Sequence, residues 1–252
     1  MSETEHSENE FDGSVAVVIG GASGIGRATA AAFAERGAAI SLSDIDETRG
    51  AGVARELADA GARVIFTPAD IRDPAALQRL AHRTEQTFGG IDAVFLSAGR
   101  VEADLGRMLE LYLQGPANCA TVLAPVLERS GNPTITFTGS TSGLRAHRGA
   151  AWYSAAKTGL VGLTRSLALD LAPRRVRVNS VCPSGVDTPM LRQTMAESGA
   201  DADERFAREA ARKPLGRWVR PEDVAQAAVF LASARAAMIT GVSLPVDGGE
   251  TL

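Results

Sequence analysis

Seven short runs of apolar and β-branched residues punctuate the chain, at Val15–Ile19, Ala39–Ser43, Arg63–Thr67, Ala93–Ser97, Thr134–Thr138, Val176–Cys182 and Val242–Val246. Their length and composition predict strands. Between them the apolar positions recur with helical period, near Ile25–Arg36, Glu47–Ala60, Pro74–Phe88, Asp104–Arg129, Ala151–Leu171 and Pro221–Ala232. Asp73-Pro74 and Arg220-Pro221 make good helix starts, because a first-turn proline lacks an N–H that would have no partner there. Strict alternation of strand and helix requires crossover connections, and so a parallel sheet with helices on both faces. The expected architecture is one α/β domain with a doubly wound, seven-stranded parallel sheet of the Rossmann type. The only long interruption of the alternation is residues 187–217.

Composition narrows the function classes. The chain has 252 residues, 45% of them apolar, which suits one large α/β domain with a substantial core. A formal net charge of −4 and the lack of any basic run argue against a nucleic-acid partner. Cys119 and Cys182 lack metal or redox spacing and lie in apolar surroundings, so buried free thiols in a reducing compartment are expected. Residues 1–12 are polar and acidic, without the basic and apolar regions of a signal peptide, and no stretch of 18 uninterrupted apolar residues follows. These features predict a disordered tail over 1–12, a domain over 13–252, and a cytoplasmic location without membrane association.

The stretch "VVIGGASGIGRATAAAFAERGAAISLSD", Val17 to Asp44, carries the first candidate chemistry. Gly20, Gly24 and Gly26, with Ser23 and Ile25 among them, lie between the first strand and first helix. Missing Cβ atoms permit a tight turn there and let a pyrophosphate approach the backbone, facing the positive end of the helix. Asp44, 24 residues after Gly20, ends the second strand. An acid there, with Ile45 beside it, can accept hydrogen bonds from the adenosine ribose and repel a 2′-phosphate. The expected cofactor is NAD. Asp46 is better placed than Asp44 to cap the next helix.

A second constellation follows the fifth strand. Ser140 lies in "TFTGSTSG", and Tyr153 and Lys157 in "YSAAK", thirteen and seventeen residues later. Residues four apart share a helix face, so Tyr153 and Lys157 can enter one crevice together. A lysine ammonium beside a phenol favours the phenolate, which suits the tyrosine to acid/base work. Ser140 can hydrogen-bond the reacting oxygen.

With these motifs in this order, the chain resembles the short-chain dehydrogenase/reductase family over nearly all of Gly13 to Gly249. "IGGASGIG" (Ile19–Gly26) corresponds to the family's T-G-x-x-x-G-I-G, and Tyr153–Lys157 to Y-x-x-x-K. "LSAG" (Leu96–Gly99) corresponds loosely to N-N-A-G. The resemblance implies adenine contacts from Asp70 and Ile71, and cofactor contacts from Ser97, Ala98, Gly99, Tyr153 and Lys157. It implies further ones from Pro183, Gly185, Val186 and Thr188 in "NSVCPSGVDTP". It implies NAD(H)-dependent interconversion of a secondary alcohol and a ketone, with Tyr153 as acid/base, and a homodimer or homotetramer. Residues 187–217 contain a charged helical stretch, "TMAESGADADERFAREAARK", and correspond to the lid over a small-molecule substrate, with Met190, Leu191 and Met195 on its inner side.

Four departures accompany the match. The threonine and asparagine that usually link the first and fourth strands are Ile19 and Leu96, a compensated apolar swap, since losing both partners costs less than orphaning one. Ser184 replaces a glycine. The segment from Gly99 to Tyr112 is shorter than usual. Tyr112 itself stands where the family carries a catalytic asparagine, either as a hydroxyl relay near Lys157 or as a core aromatic filling the shortened segment. Between Ser140 and Tyr153, "GLRAHRGAAW" offers Arg145, His147, Arg148 and Trp152 as substrate contacts, the arginines for an acidic group. His147 has no companion ligand at metal spacing, so no metal is expected. Two other readings remain: a non-catalytic dinucleotide-binding scaffold, and an enoyl reductase, in which tyrosine and lysine are usually spaced more widely.

Overall fold

The computed structural model describes residues 10–99, 104–196 and 201–252. Among them, seven strands form one wholly parallel sheet in the order β3-β2-β1-β4-β5-β6-β7. The strands are β1 Val15–Ile19, β2 Ala39–Ser43, β3 Val64–Phe66, β4 Ala93–Leu96, β5 Thr134–Thr138, β6 Arg177–Pro183 and β7 Ser243–Val246. The expected fold class is the one observed. Boundaries differ by one residue at β3, β4, β6 and β7.

Strand periodicity divides the core into two layers. Val17 and Ile19 of β1 join one buried cluster with Leu77, Leu80, Leu123 and Phe137, whereas Ala16 and Val18 join the other with Phe33, Ile40, Leu42 and Val229. Successive side chains of a strand point to opposite faces, so a continuous apolar run serves both layers. The first layer is covered by α3 (Pro74–Phe88), α5 (Gly115–Leu127) and α6 (Ala151–Leu171). The second is covered by α1 (Gly24–Ala34) and α9 (Pro221–Ala232), which also pack on each other. Phe33, Phe95 and Phe137 are fully buried, each contributing about 1.5–3 kcal/mol by removal from water. Ile19 and Leu96 are register partners across β1 and β4 and both are buried, so the swap is apolar on both sides.

Two expectations need correction. The tail does not extend to residue 12: Phe11 is buried edge-on against Phe33, with centroids 5.1 Å apart, and its N–H donates to the Arg36 carbonyl at 2.9 Å. The rest of the expected tail, 1–9, lies outside the described residues. The helix expected over Asp104–Arg129 is three pieces, α4 (Leu105–Leu109), a π turn (Glu110–Gln114) and α5. Pro116 supplies the reason: without an N–H it cannot donate to the Tyr112 carbonyl four residues back, which favours the wider winding. Gly115 N–H accordingly bonds to Glu110, five residues back. The interruption over 187–217 contains α7 (Pro189–Ala196) and α8 (Ala202–Ala211), with 197–200 outside the described residues. Among the described residues, no helix is long and apolar enough to cross a membrane.

Candidate active site

The connections leaving the carboxyl ends of β1 to β6 surround a cleft of about 870 Å³, centred where the strand order reverses between β1 and β4. Such a switch point opens a crevice between diverging connections. Gly20, Ser23, Gly24 and Ile25 line it from β1, Asp44 and Ile45 from β2, and Asp70 and Ile71 from β3. Ser97, Ala98 and Gly99 follow β4, Ser140 follows β5, and Pro183, Gly185, Val186 and Thr188 come from the end of β6 and the loop beyond it. Tyr112, Tyr153 and Lys157 complete the wall from the helical side.

The β1 connection is built to admit a ligand against bare backbone. Gly20 has a φ of 80°, in the left-handed region, and a Cβ on it would stand 2.6 Å from the Ala98 nitrogen. Gly26 does not line the cleft; its Cβ would meet the Gly20 carbonyl oxygen at 2.0 Å, so it lets α1 pack on the loop. Ser23, at the N-cap, makes no side-chain capping bond, which leaves first-turn N–H groups for an anion. Asp44 accepts one backbone N–H on each oxygen, from Ala22 at 2.9 Å and Asp46 at 3.0 Å. An ionised carboxylate has about four acceptor sites, so hydroxyls can still be accommodated. Asp46 caps α2 (Glu47–Asp59) through Arg49 N–H. Asp70 is held by the Arg72 guanidinium at 2.6 and 3.1 Å.

The second constellation converges by close backbone packing. Ser140 opens a single tight turn, Thr141–Gly143, and its Oγ accepts the Ser142 N–H at 3.1 Å. A Cβ on Gly143 would lie 2.7 Å from the Lys157 carbonyl oxygen, so the turn rests directly on α6 and brings Ser140 to Tyr153. Lys157 is buried, and its Nζ donates to the Thr138 carbonyl at 2.8 Å. Desolvation lowers its pKa to about 7. Burial pushes the Tyr153 phenol up, partly offset by its hydrogen bond with Ser140.

The lysine shift fixes a sign for stability. Its folded value of about 7 lies below the ordinary 10.5, so between these values the unfolded chain binds more protons. The contribution of Lys157 to stability therefore rises with pH across that window. Compared with Lys157→Met, the unmutated protein should gain in melting temperature as pH rises through it. A constant difference would mean that the lysine is not buried in this way.

The proposed substrate residues of the β5–α6 segment do not meet the cleft. Arg145, His147, Arg148 and Trp152 are absent from its wall. Arg145 is instead drawn to the C-terminal segment, donating to the Glu250 carbonyl at 2.7 Å, and Trp152 is 55% exposed. Met190 and Leu191 line the cleft but Met195 does not. Ser184, noted from the sequence as a departure, is part of the wall, and several other wall residues were not singled out from sequence: Leu111, Thr138, Gln193 and Thr194. Thr138 sits at a strand end, a signal that could have found it. Gln193 and Thr194 lie on a mostly exposed helix and gave none. Ser184 Oγ is buried with no partner at the cleft wall.

Comparison with known proteins agrees with this geometry. Residues 20–251 match a family described as enoyl-(acyl carrier protein) reductase. The chain is 41% identical over 248 residues to cis-4-hydroxycyclohexanecarboxylate dehydrogenase of Sinomonas cyclohexanicum, covering 94% of this chain and 96% of the relative. It is 35% identical over 256 residues to the mitochondrial (-)-isopiperitenol/(-)-carveol dehydrogenase of Mentha piperita, covering 96% and 95%. The solved structure of levodione reductase superposes with a TM-score of 0.90 at 27% identity, over 96% of this chain and 98% of that one. Fold, motif order and relatives together make the chain a member of the short-chain dehydrogenase/reductase family, oxidoreductases that act on CH–OH groups with a nicotinamide dinucleotide.

Proposed function

We propose that the protein is an NAD(H)-dependent dehydrogenase that interconverts an alicyclic secondary alcohol and its ketone. The convergence of Ser140, Tyr153 and Lys157 in one cleft with the glycine loop and Asp44 carries this reading. The N–H groups at the start of α1 would hold the pyrophosphate, and the remaining acceptor sites of Asp44 the adenosine ribose hydroxyls. A bound nicotinamide dinucleotide supplies the hydride acceptor or donor.

The chain's own groups handle the proton and the orientation. Ser140 Oγ hydrogen-bonds the substrate oxygen and turns it toward Tyr153. A phenol raised by burial is protonated at neutral pH, suited to donating its proton to a ketone. In the oxidising direction the group must start as the phenolate, which takes the alcohol proton and becomes the phenol, so a nearby cation must favour the ionised form. Lys157 Nζ, 5.7 Å from the Tyr153 ring centroid, is the cation in reach. Around the reacting end stand Leu111, Tyr112, Met190 and Leu191, an apolar wall suited to a saturated ring. The names of the Sinomonas and Mentha relatives support a cyclic alcohol. Arg145 and Arg148 lie outside that wall, so the ring, rather than an acidic arm on those arginines, is the recognised feature.

Calorimetric titration tests the cofactor reading. NADH should bind far more tightly than NADPH, because Asp44 repels a 2′-phosphate, and Asp44→Ala should narrow the difference. Equal affinities in the unmutated protein would overturn the NAD assignment. Failure to bind either cofactor would favour the scaffold reading. A panel of cyclic and linear secondary alcohols, followed by reduced-cofactor absorbance, tests the substrate class; faster turnover of linear alcohols would refute it.

A further inference from the structure

The Lys157 ammonium occupies an unusual enclosure. It is 4% exposed, and among the described residues no carboxylate lies within ion-pair distance of Nζ. One hydrogen bond, to the Thr138 carbonyl, is what β5 offers. The titratable groups facing it are Tyr153 from its own helix, Cys182 from β6 and Tyr112 from the π turn. Of these, Tyr112 is the closest ring: Nζ stands 4.3 Å from its centroid, against 5.7 Å for Tyr153. A cation over a π face at this range is attracted by the ring quadrupole, more strongly when desolvated.

Tyr112 is fixed for that purpose from three sides. It is buried with Met108 and Ala156, and its ring meets Tyr153 edge-on at 5.4 Å and 88°. Its hydroxyl end lies toward the β4 connection, where a Cβ on Gly99 would stand 3.1 Å from both Oη and Cε1. The face, not the hydroxyl end, is therefore what Nζ lies over. The π turn produced by Pro116 sets the register that places the ring there.

We propose that the Tyr112 ring holds the Lys157 ammonium face-on, making Tyr112 a positioning residue for the Tyr153–Lys157 pair in place of a hydroxyl relay. The inference rests on the dehydrogenase reading for its purpose, but its test does not need turnover. Exchange of the ring for an aliphatic chain removes attraction for the cation alone, so the lysine should lose its proton at lower pH. Exchange for phenylalanine keeps the face and removes only the hydroxyl.

The chain contains two lysines, Lys157 and Lys213, so lysine isotopically labelled at Cε gives two NMR signals, and Lys213→Arg assigns them. Full-length protein is titrated as wild type, Tyr112→Phe and Tyr112→Leu. The Lys157 midpoint should be the same in wild type and Tyr112→Phe, and about one pH unit lower in Tyr112→Leu. An unchanged midpoint in Tyr112→Leu would overturn the proposal and leave the ring as filler. A shift in Tyr112→Phe as large as in Tyr112→Leu would overturn it in favour of the hydroxyl. Should Tyr112→Leu not fold, Tyr112→Met, unbranched and adaptable, carries the same expectation. If the titrations behave as expected while no secondary alcohol is turned over, the activity reading fails and this one stands.

Discussion

Tyr153→Phe should lower kcat by a factor of ~10²–10⁴, the range in which a positioned acid/base contributes. The ring stays, so its edge-on contact with Tyr112 and the packing around Ala156 survive. What would be lost is the proposed proton exchange at the phenol oxygen, together with the hydrogen-bond partner of Ser140. Cofactor affinity and melting temperature should change little, because the glycine loop and Asp44 are untouched. Steady-state kinetics on a cyclic alcohol, paired with calorimetry on NADH, separates chemistry from binding. A variant that retains nearly full kcat would move the proton to another group and remove Tyr153 from the mechanism.

Arg177→Met should produce a large loss of stability away from the cleft. Arg177 opens β6, and the residue is 7% exposed. It donates to the Leu231 carbonyl at 2.6 Å, and to the Ile239 and Ser233 carbonyls and Asn132 Oδ1 at 3.3 Å each. Leu231 belongs to the last turn of α9, so the cation also meets the negative end of a helix. Burial lowers its pKa. Methionine fills much of the volume and donates nothing, orphaning several buried carbonyls at ~1–3 kcal/mol each. Relief of the buried charge offsets part of this, so a net loss of about 3 kcal/mol is expected. For a chain of this size that is ~6–12 °C in melting temperature. Catalysis at the opposite end of β6 should be intact, since seven residues of strand span ~20 Å. An unshifted melting temperature would show that those carbonyls find other donors.

Residue order by itself determined the features that depend on neighbours along the chain. Apolar runs of strand length separated by helical periods can bury both faces only as a covered parallel sheet, so the architecture was legible without any long-range contact. The glycines of the β1 connection were legible because each answers a local backbone need. Tyr153 and Lys157 were legible because the helical repeat carries both to one face. Long-range encounters were left to the tertiary structure. Four arginines and aromatics near Ser140 in sequence looked like substrate contacts, yet Arg145 meets Glu250, 105 residues away, and turns from the cleft. Phe11 read as tail because its partner, Phe33, lies beyond a strand and most of a helix. The broken central helix had a local cause in Pro116, but where it aimed Tyr112 depended on α6 lying alongside, with Lys157 over the ring. Periodicity specifies which face of an element is buried; which group on another element it meets is set by packing, and the burial that lowers the pKa of Lys157 follows from that packing.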